Sequence, residues 1–467
     1  MSRAESATDY LRSLTPLERR FFRAPNCCVI VTLQIKGYVD PATLQTAIDT
    51  VQTRHRLLQT RTVVDDNGNA WFTTESVERI EVSTAERHSD QQWLQESLDI
   101  QKTPFRTASQ PPIVFRLLHA LDRSDLIISC HHMICDGLSL TYLARDIMMS
   151  LAHPNRAVAP LADQLPAERA NIDAGVQLDQ QRLNAIQGAN ATWETQKVLF
   201  SDNDYQDLFS AYWQNYTFDA RTITLSRKQT SRLLDRCKRE QVTANTGLLA
   251  LLLHTQYRVQ GDAEDFLRRT GVAVSTRRFL RHPPGEAVGL YAAGAMFDFP
   301  CNTGDSLWKF ARKLHRAIAV SASSDSILKG LAYADAIDPT LLDAVQMKRF
   351  GSWIGPDASG YKKIQAFCKR KDVIATMESN RAKNAKRGVL LTNLAQVDIS
   401  TAESGLEIEK VFFYPGTSDI FEKAFGAVTY NGCLNLLLSS IRECIDEATV
   451  SEYVATFESV IAREFGN

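Results

Sequence analysis

The chain has 467 residues, of which 44% are hydrophobic. This is longer than a chain that folds around one ordinary hydrophobic core, so the length predicts two globular units. Its 53 Lys and Arg against 54 Asp and Glu give a formal net charge of -1, so no overall field favours nucleic acid or an anionic membrane as a partner. The first 25 residues lack the apolar region of a signal peptide and no apolar run is long enough to span a bilayer, so we expect a soluble, cytoplasmic protein.

The amino-terminal half carries strand patterns followed by helix patterns. Residues 29–35 alternate between apolar and other side chains, which is the period of a half-buried strand. Asp40 then offers a helix cap, and Pro41 suits the first helical turn. The apolar run that ends at His131 is typical of a buried strand. We predict strands at 29–35, 113–119 and 126–131, and helices at 44–58 and 140–151.

Residues 155–195 are rich in Pro, Ala, Gln, Asn and Asp, which predicts a linker between two halves. We therefore expect an amino-terminal half at 1–175 and a carboxy-terminal half at 176–467. Both halves mix strand and helix patterns, so the predicted fold class is α/β. In the second half we predict strands near 216–225, 271–276, 293–299, 390–399, 411–414 and 434–438, and helices at 233–237 and 242–257.

The heptapeptide HHMICDG at residues 131–137 directly follows a predicted buried strand. Histidine has the unperturbed pKa best suited to proton transfer near neutral pH. Asp136 could cap the next helix or pair with a cation, and Gly137 permits a tight turn. Both histidines could instead be structural, each held by a backbone carbonyl. We expect no metal site, because no third ligand cluster accompanies His132 and Asp136.

The nine cysteines are scattered, odd in number and without a Cys-x-x-Cys pair. This distribution favours a reducing compartment over a disulfide framework or a structural zinc site.

The same heptapeptide resembles the HHxxxDG motif of the CoA-dependent acyltransferase superfamily. That group includes nonribosomal peptide condensation domains, polyketide-associated acyltransferases, wax ester synthases and chloramphenicol acetyltransferase. The resemblance extends in the right order over nearly the whole chain. The further segments that carry it are 14–18, 44–58, 104–105 and 112–116 in the first half, and 274–278, 288–289, 391–394 and 429–435 in the second half.

The resemblance implies two chloramphenicol-acetyltransferase-like halves in one chain, forming a pseudo-dimer with a central tunnel. Donor and acceptor would enter this tunnel from opposite faces. His132 would be the catalytic base, accepting a proton from the acceptor as the acceptor attacks a thioester carbonyl. Holding both reactants in one tunnel supplies proximity, so no acyl-enzyme is required.

The resemblance also implies supporting roles around that base. Asp136 would pair with Arg277 and fix the loop that presents His132, and His131 would be a buried structural imidazole. The other residues assigned in this way are Gly137 as part of the motif, and Asn393 and Tyr430 as tunnel lining.

Three features depart from the modular condensation domains. Ala395 replaces the usual glycine after Asn393 and Leu394. The Asp-Phe-Gly-Trp stretch is absent, and residues 414–417 stand near its place. We also expect that no adenylation or carrier domain is attached. We interpret the second and third features as those of a standalone enzyme, with ester formation favoured over amide formation, whereas Ala395 bears only on the lining of one tunnel wall.

We therefore expect an acyltransferase that moves an acyl group from acyl-CoA or an acyl-carrier protein to a hydroxyl of a small-molecule, natural-product acceptor. No tightly bound cofactor is expected. Two alternatives remain, namely a standalone condensation enzyme that forms an amide with an amine, and a noncatalytic scaffold. The intact His132, Asp136 and Gly137 argue against the scaffold.

One segment departs from neutrality. Residues 362–387 hold nine basic and two acidic residues, a formal charge of +7. The ordinary interpretation of such a run is a solvated helix and loop. The alternative is a docking site for the phosphate groups of the donor, with Lys369, Arg370 and Lys371 as candidate contacts.

Overall fold

A computed structural model describes residues 10–156, 158–261, 264–300, 305–371, 374, 386–399, 405–416 and 419–466. The strands are β1 (Tyr10–Ser13), β2 (Cys28–Lys36), β3 (Arg61–Val64), β4 (Ala70–Thr73), β5 (Val82–Glu86), β6 (Ile113–His119), β7 (Arg123–His131), β8 (Phe218–Leu225), β9 (Arg269–Ser275), β10 (Ala292–Asp298), β11 (Arg387–Gln396), β12 (Glu407–Tyr414), β13 (Phe421–Tyr430) and β14 (Cys433–Ile441). The helices are α1 (Pro16–Phe22), α2 (Pro41–Arg54), α3 (Gln92–Gln101), α4 (Gly137–Ala152), α5 (Gln180–Gln196), α6 (Asp202–Asn215), α7 (Arg227–Arg239), α8 (Ala244–Gln260), α9 (Leu307–Ser321), α10 (Ser324–Asp335), α11 (Pro339–Phe350), α12 (Tyr361–Cys368) and α13 (Glu447–Phe465).

The first half is built on a five-stranded sheet in the order β12-β2-β7-β6-β5. The strand β7 pairs antiparallel with β2, and Cys28 lies opposite His131 in that register. Helices α2 and α4 contact each other and contribute apolar residues to the same core as β2 and β7. Burial of these apolar side chains is the main stabilising term, at about 25 cal/mol per Å² removed from water. The sheet thus holds the end of β7 rigidly.

The second half is built on a six-stranded sheet in the order β10-β9-β11-β13-β14-β8. Helices α8 and α13 pack together over it, and their apolar residues share one core with the strands. The Asn431-Gly432 pair joins β13 to β14 with φ of +47° and +78°. This is the two-residue turn that asparagine and glycine favour, and it fixes the register of the hairpin.

The predicted linker is partly a helix. Residues 180–196 form α5, and this helix begins within the segment 155–195 that was predicted as a linker. The sequence of α5 shows no apolar helical period, because only Trp193 of this helix is buried. Its indole Nε1 donates to Thr340 Oγ1 at 2.9 Å, which ties α5 to α11. Helices α5, α6, α11 and α12 share a separate apolar cluster beside the two sheets.

The strand β12 departs from the expected division of the chain at residue 175. It lies far into the second half of the sequence but pairs with β2, with Glu407 opposite Lys36 and Tyr414 opposite Ile30. Hydrophobic alternation predicts a strand but not its partner, because pairing depends on contacts distant in sequence. The two sheets are therefore joined by a strand exchanged from one half to the other.

Within the described ranges, none of the helices combines the length and the hydropathy that a membrane span requires.

Candidate active site

His132 lies immediately after β7, in the turn that leads into α4. Its backbone N–H donates to the Cys27 carbonyl at 2.7 Å, which anchors the turn to the start of β2. Its ring Nδ1 lies 2.7 Å from the Cys135 carbonyl oxygen. A carbonyl only accepts, so Nδ1 carries the proton and Nε2 of the neutral ring is an acceptor. No hydrogen bond to Nε2 is formed within the described residues.

The surroundings of His132 keep its imidazole neutral at physiological pH. Desolvation by the surrounding protein lowers the pKa of His132, and the hydrogen bond to Cys135 opposes this shift only in part. The Phe21 ring lies 4.3 Å from the His132 ring between centroids. A neutral imidazole with an unoccupied Nε2 is able to accept a proton.

His131 has the opposite environment. The side chain is buried, Nδ1 accepts from the Met133 N–H at 3.1 Å, and Nε2 lies 2.9 Å from Cys27 Sγ. Both ring nitrogens are therefore occupied. Burial, with smaller effects from His132 and Arg23, lowers the pKa of His131 to about 3. This histidine holds the turn together and has no free nitrogen with which to take a proton.

Asp136 is the cap of α4 and is held on both carboxylate oxygens. Oδ1 accepts from the Ser139 N–H at 2.8 Å, and Oδ2 accepts from the Tyr291 N–H at 3.0 Å. The first bond satisfies a backbone donor at the start of the helix. The second bond ties this helix start to the segment before β10. Asp136 thus fixes the turn that contains His132 against the second half of the chain.

Arg277 lies on the other side of this carboxylate. Its Nη2 is 3.4 Å from Asp136 Oδ1 and donates to Ser139 Oγ at 2.8 Å. Its Nη1 donates to the carbonyls of Gly285 and Ala287 at 2.8 and 3.0 Å. Both charged groups are buried, and such groups must be paired to be tolerated. The Ser139 hydroxyl lies between them and makes the contact a three-residue network.

Gly137 stands where elements of both halves approach α4 closely. A Cβ at this position would lie 2.6 Å from Leu394 Cδ2 and 2.9 Å from Phe413 Cζ. Leu394 belongs to β11 of the second sheet, and Phe413 belongs to the exchanged strand β12. The absence of a side chain at Gly137 therefore lets β11 and β12 contact the start of α4.

Asn393 and Tyr430 have different positions. Asn393 is partly buried, and its Oδ1 accepts from the Ala395 N–H at 2.9 Å. Ala395 adopts a φ of +60°, at a shift in the β11–β13 register. Tyr430 is buried in the first core, and its hydroxyl donates to the Ile399 carbonyl at 3.2 Å. Tunnel lining by these two residues stays a prediction.

The three candidate docking residues follow α12. Lys369 and Lys371 are exposed, but Arg370 is partly buried and donates to the Gln196 carbonyl at 2.9 Å. Arg370 also lies over the Phe367 ring, at 5.4 Å to the centroid. Arg370 is therefore engaged in the fold, which leaves the two lysines as the available charges. Residues 372–373 and 375–385 of the basic segment lie outside the described residues.

Two contributors to this site were missed in the sequence. Ser139 follows Asp136 by three residues, a spacing typical of helix-cap hydrogen bonds, and this signal could have identified it. Phe21 gave no sequence signal, because its contact with His132 depends on how α1 packs. Among the described residues no group of three or more His, Cys, Asp or Glu side chains is arranged to hold a metal ion.

Comparison with protein families places these observations in context. The family model described as "Condensation domain" matches residues 21–277. The nonribosomal peptide synthetase kk1B of Curvularia clavata is 27% identical over 315 residues, which are 66% of this chain and 2% of that protein. The cyclosporin synthetase simA of Tolypocladium inflatum is 26% identical over 262 residues, 54% of this chain and 2% of that protein. These matches thus span only 2% of each relative.

Solved structures share the fold over nearly the entire chain. The first condensation domain of the CDA synthetase superposes with a TM-score of 0.62 at 13% identity, covering 99% of this chain and 97% of that one. Polyketide synthase associated protein 5 from Mycobacterium tuberculosis gives a TM-score of 0.61 at 16% identity, covering 97% and 99%. The predicted α/β fold with two chloramphenicol-acetyltransferase-like halves is confirmed by these similarities.

Proposed function

Because this chain belongs to the condensation-domain family, we propose that it transfers an acyl group from a thioester to a hydroxyl of a small-molecule acceptor. The observation that carries the proposal is the neutral His132, whose Nδ1–H donates to Cys135 and whose Nε2 is unoccupied within the described residues. That arrangement is the one a general base requires. The donor would be acyl-CoA or an acyl group on a carrier protein.

The reaction would proceed without a covalent enzyme intermediate. His132 Nε2 accepts the hydroxyl proton as the acceptor oxygen bonds to the thioester carbonyl carbon. The tetrahedral intermediate then collapses, the carbon–sulfur bond breaks, and the protonated imidazole returns its proton to the leaving sulfur. The products are an ester and a free thiol. His131 and the Asp136–Ser139–Arg277 network would position the base rather than touch the reactants.

A hydroxyl acceptor is the main proposal because the chain lacks the Asp-Phe-Gly-Trp stretch of the modular, amide-forming condensation domains. The second candidate is an amine acceptor, which would give an amide. The specific observation in its favour is that the matched relatives are named as peptide synthetases. The two candidates share the same base and differ only in the acceptor.

The test of this proposal removes the base and keeps the fold. His132→Ala should lower kcat by at least about a hundredfold, the usual contribution of a general base. Product mass spectrometry would score acyl transfer from acyl-CoA and carrier-bound donors to panels of alcohols and amines. An unchanged melting temperature would show that the turn remains folded. His282→Ala is the matched control, because His282 is exposed.

Near-normal turnover in folded His132→Ala would remove His132 from the mechanism. Products formed only with amines would replace the ester proposal with the amide one. A lack of transfer with every donor and acceptor would favour a scaffold role. In an active wild type, kcat/KM for an alcohol should fall on acidification only at a pH below the usual titration range of histidine, because desolvation lowers the pKa of His132.

A further inference from the structure

Phe21 of α1 contacts the candidate base directly. The centroids of the Phe21 and His132 rings lie 4.3 Å apart, and the two ring planes are inclined by 39°. Rings at this separation are in van der Waals contact, so the phenyl ring covers one face of the imidazole. The hydrogen bond from Nδ1 to the Cys135 carbonyl fixes the direction of the imidazole, and the phenyl ring limits its rotation. Both side chains are partly exposed, so Phe21 also borders the space from which a reactant reaches His132.

The helix α1 is anchored to both halves of the chain. Arg19 forms a buried ion pair with Asp343 of α11 and donates to the Gly68 carbonyl at 2.9 Å. Arg23, at the carboxyl end of α1, pairs with Asp202 at 2.5 Å. The buried pair resists displacement, because separating it would leave a buried charge without its partner. The helix is therefore a rigid support for the ring that covers the candidate base.

The phenyl ring restricts how an acceptor can approach the base. A hydroxyl that donates to His132 Nε2 lies about 2.8 Å from that nitrogen, close to the plane of the imidazole. The carbon that bears the hydroxyl, and any branch on that carbon, then lie next to the ring that covers one face of the imidazole. The Phe21 side chain also packs against the first core and against an apolar cluster that includes α10 residues, so its orientation is fixed from two sides. A substituent on the reacting carbon therefore meets a ring that cannot easily turn away.

We propose that Phe21 selects the acceptor: its ring closes one side of the approach to His132 and favours primary alcohols over alcohols branched at the reacting carbon. One methylene in an apolar contact changes kcat/KM by about tenfold or more, so a single branch is enough for such selection. The ring also positions the base, because it holds the imidazole in the orientation that presents Nε2. This inference rests on the proposed acyl transfer and names an acceptor class for it.

Activity with matched pairs of alcohols tests the selection. The pairs are benzyl alcohol with 1-phenylethanol and 1-hexanol with 2-hexanol, each offered with the donor that product mass spectrometry identifies. The wild type should prefer the primary alcohol of each pair by about tenfold or more in kcat/KM, and Phe21→Ala should lose most of that preference. Phe21→Tyr keeps the ring and the preference, whereas Phe21→Leu keeps apolar bulk without a flat ring and should fall between. Phe299→Ala is the control, because Phe299 is also partly exposed but packs on Phe310 in the second core.

A second measurement does not depend on turnover. NMR of protein labelled in its histidine rings follows the protonation of His132, whose signal is assigned with His132→Gln. Desolvation lowers the pKa of His132, and removal of the phenyl ring admits water to one face of the imidazole. The pKa of His132 should therefore rise in Phe21→Ala toward the ordinary value of histidine, and stay nearly unchanged in Phe21→Tyr and Phe299→Ala. His131 and Asp136, which are titratable neighbours of His132, are the same in all these variants.

The two measurements separate the possible failures. Equal use of primary and branched alcohols by the wild type, or an unchanged preference in folded Phe21→Ala and Phe21→Leu, would overturn the selection. A lack of transfer with every donor would remove the proposed function and the selection with it, while a ring-dependent titration of His132 would keep Phe21 as the cover of the imidazole. If the melting temperature shows that Phe21→Ala does not fold, Phe21→Leu decides, because exchanges between large apolar side chains are usually tolerated.

Discussion

The adjacent histidines at residues 131 and 132 differ in which of their ring nitrogens form hydrogen bonds. His131 uses Nδ1 for the Met133 N–H and Nε2 for Cys27, whereas His132 uses only Nδ1. Cys27 is buried, and burial with the nearby Cys28 raises the pKa of its thiol, so it stays protonated. Because His131 Nδ1 accepts from the Met133 N–H, Nε2 of the neutral ring carries the proton and donates to the Cys27 sulfur.

His131 should make the fold acid-sensitive. With a folded pKa of about 3 against about 6.5 in an unfolded chain, it is neutral in both states at high pH. As pH falls below about 6.5, only the unfolded chain binds the proton, so the unfolding free energy drops by up to about 1.4 kcal/mol per pH unit until the pH nears 3. His131→Gln supplies a donor and an acceptor without titrating.

Urea unfolding at pH 7.5 and pH 5.0 measures this effect. The wild type should lose about 2 kcal/mol more than His131→Gln over the interval. His282→Gln should behave like the wild type, since His282 is exposed. Equal losses in wild type and His131→Gln would mean that His131 is protonated in the folded protein.

The Asp136–Arg277 contact should show energetic coupling. Asp136→Asn and Arg277→Met should each cost about 3 kcal/mol, because each leaves a buried charge without its partner. The double variant should lose less than the sum, by about 1 kcal/mol or more. The exposed Arg106–Glu78 pair, at 2.8 Å, is the control and should couple by under about 1 kcal/mol. Strict additivity at 136 and 277 would show that Ser139 alone holds both groups.

At the scale of elements, β11 contains a local strain. Ala395 is exposed and has a φ of +60°, a conformation that costs a residue with a Cβ about 1–2 kcal/mol. It stands at the position where related proteins were expected to have glycine. The Asn393 side chain supports this turn by accepting from the Ala395 N–H. The strand therefore keeps a glycine-type backbone with an alanine in it.

Ala395→Gly should raise the unfolding free energy by up to about 1 kcal/mol, since the relief of strain exceeds the entropy that glycine adds to the unfolded chain. Gln396→Gly, one residue further on, should lower it by about 0.5–1 kcal/mol because its φ is not positive. Chemical denaturation of both variants would decide. A loss of stability in Ala395→Gly would show that the turn is not strained.

Sequence patterns predicted elements whose signals are local. The strand predicted at 113–119 is β6 with the same bounds, because the turn-like Pro111-Pro112 pair marks its start. The helix cap at Asp136 and the helix that follows it were likewise predicted from the local sequence. The helix α5 was missed because one buried residue, Trp193, gives no helical period. The contact between Phe21 and His132 depends on how α1 packs against the turn after β7, which no local pattern encodes.

On the scale of the molecule, charge is unevenly distributed. The segment 362–387 carries +7, whereas the chain as a whole carries -1. Such a region can steer an anionic donor toward the protein, and salt screens this attraction over about 8 Å at physiological ionic strength. Because Arg370 donates to the Gln196 carbonyl, only Lys369 and Lys371 are changed in the experiment that tests this attraction.

Lys369→Glu combined with Lys371→Glu should raise the donor KM several-fold at low salt and leave kcat nearly unchanged. Wild-type kcat/KM should fall as salt rises, and that of the double variant should fall much less. Lys238→Glu with Arg239→Glu makes the same charge change on α7, at exposed positions, and should have little effect. An unchanged donor KM at low salt would identify the segment as ordinary solvated surface.

The exchanged strand β12 imposes an order of events during synthesis. The β2 edge of the first sheet stays unpaired until β12 has been synthesised, because Lys36 of β2 pairs with Glu407 of β12. At about 5–20 residues per second, the ribosome needs tens of seconds to deliver the missing strand. Until then the nascent chain presents a buried-type strand with a free edge, which is a template for aggregation. Premature termination anywhere before residue 407 would therefore yield a product that chaperones must hold or proteases remove.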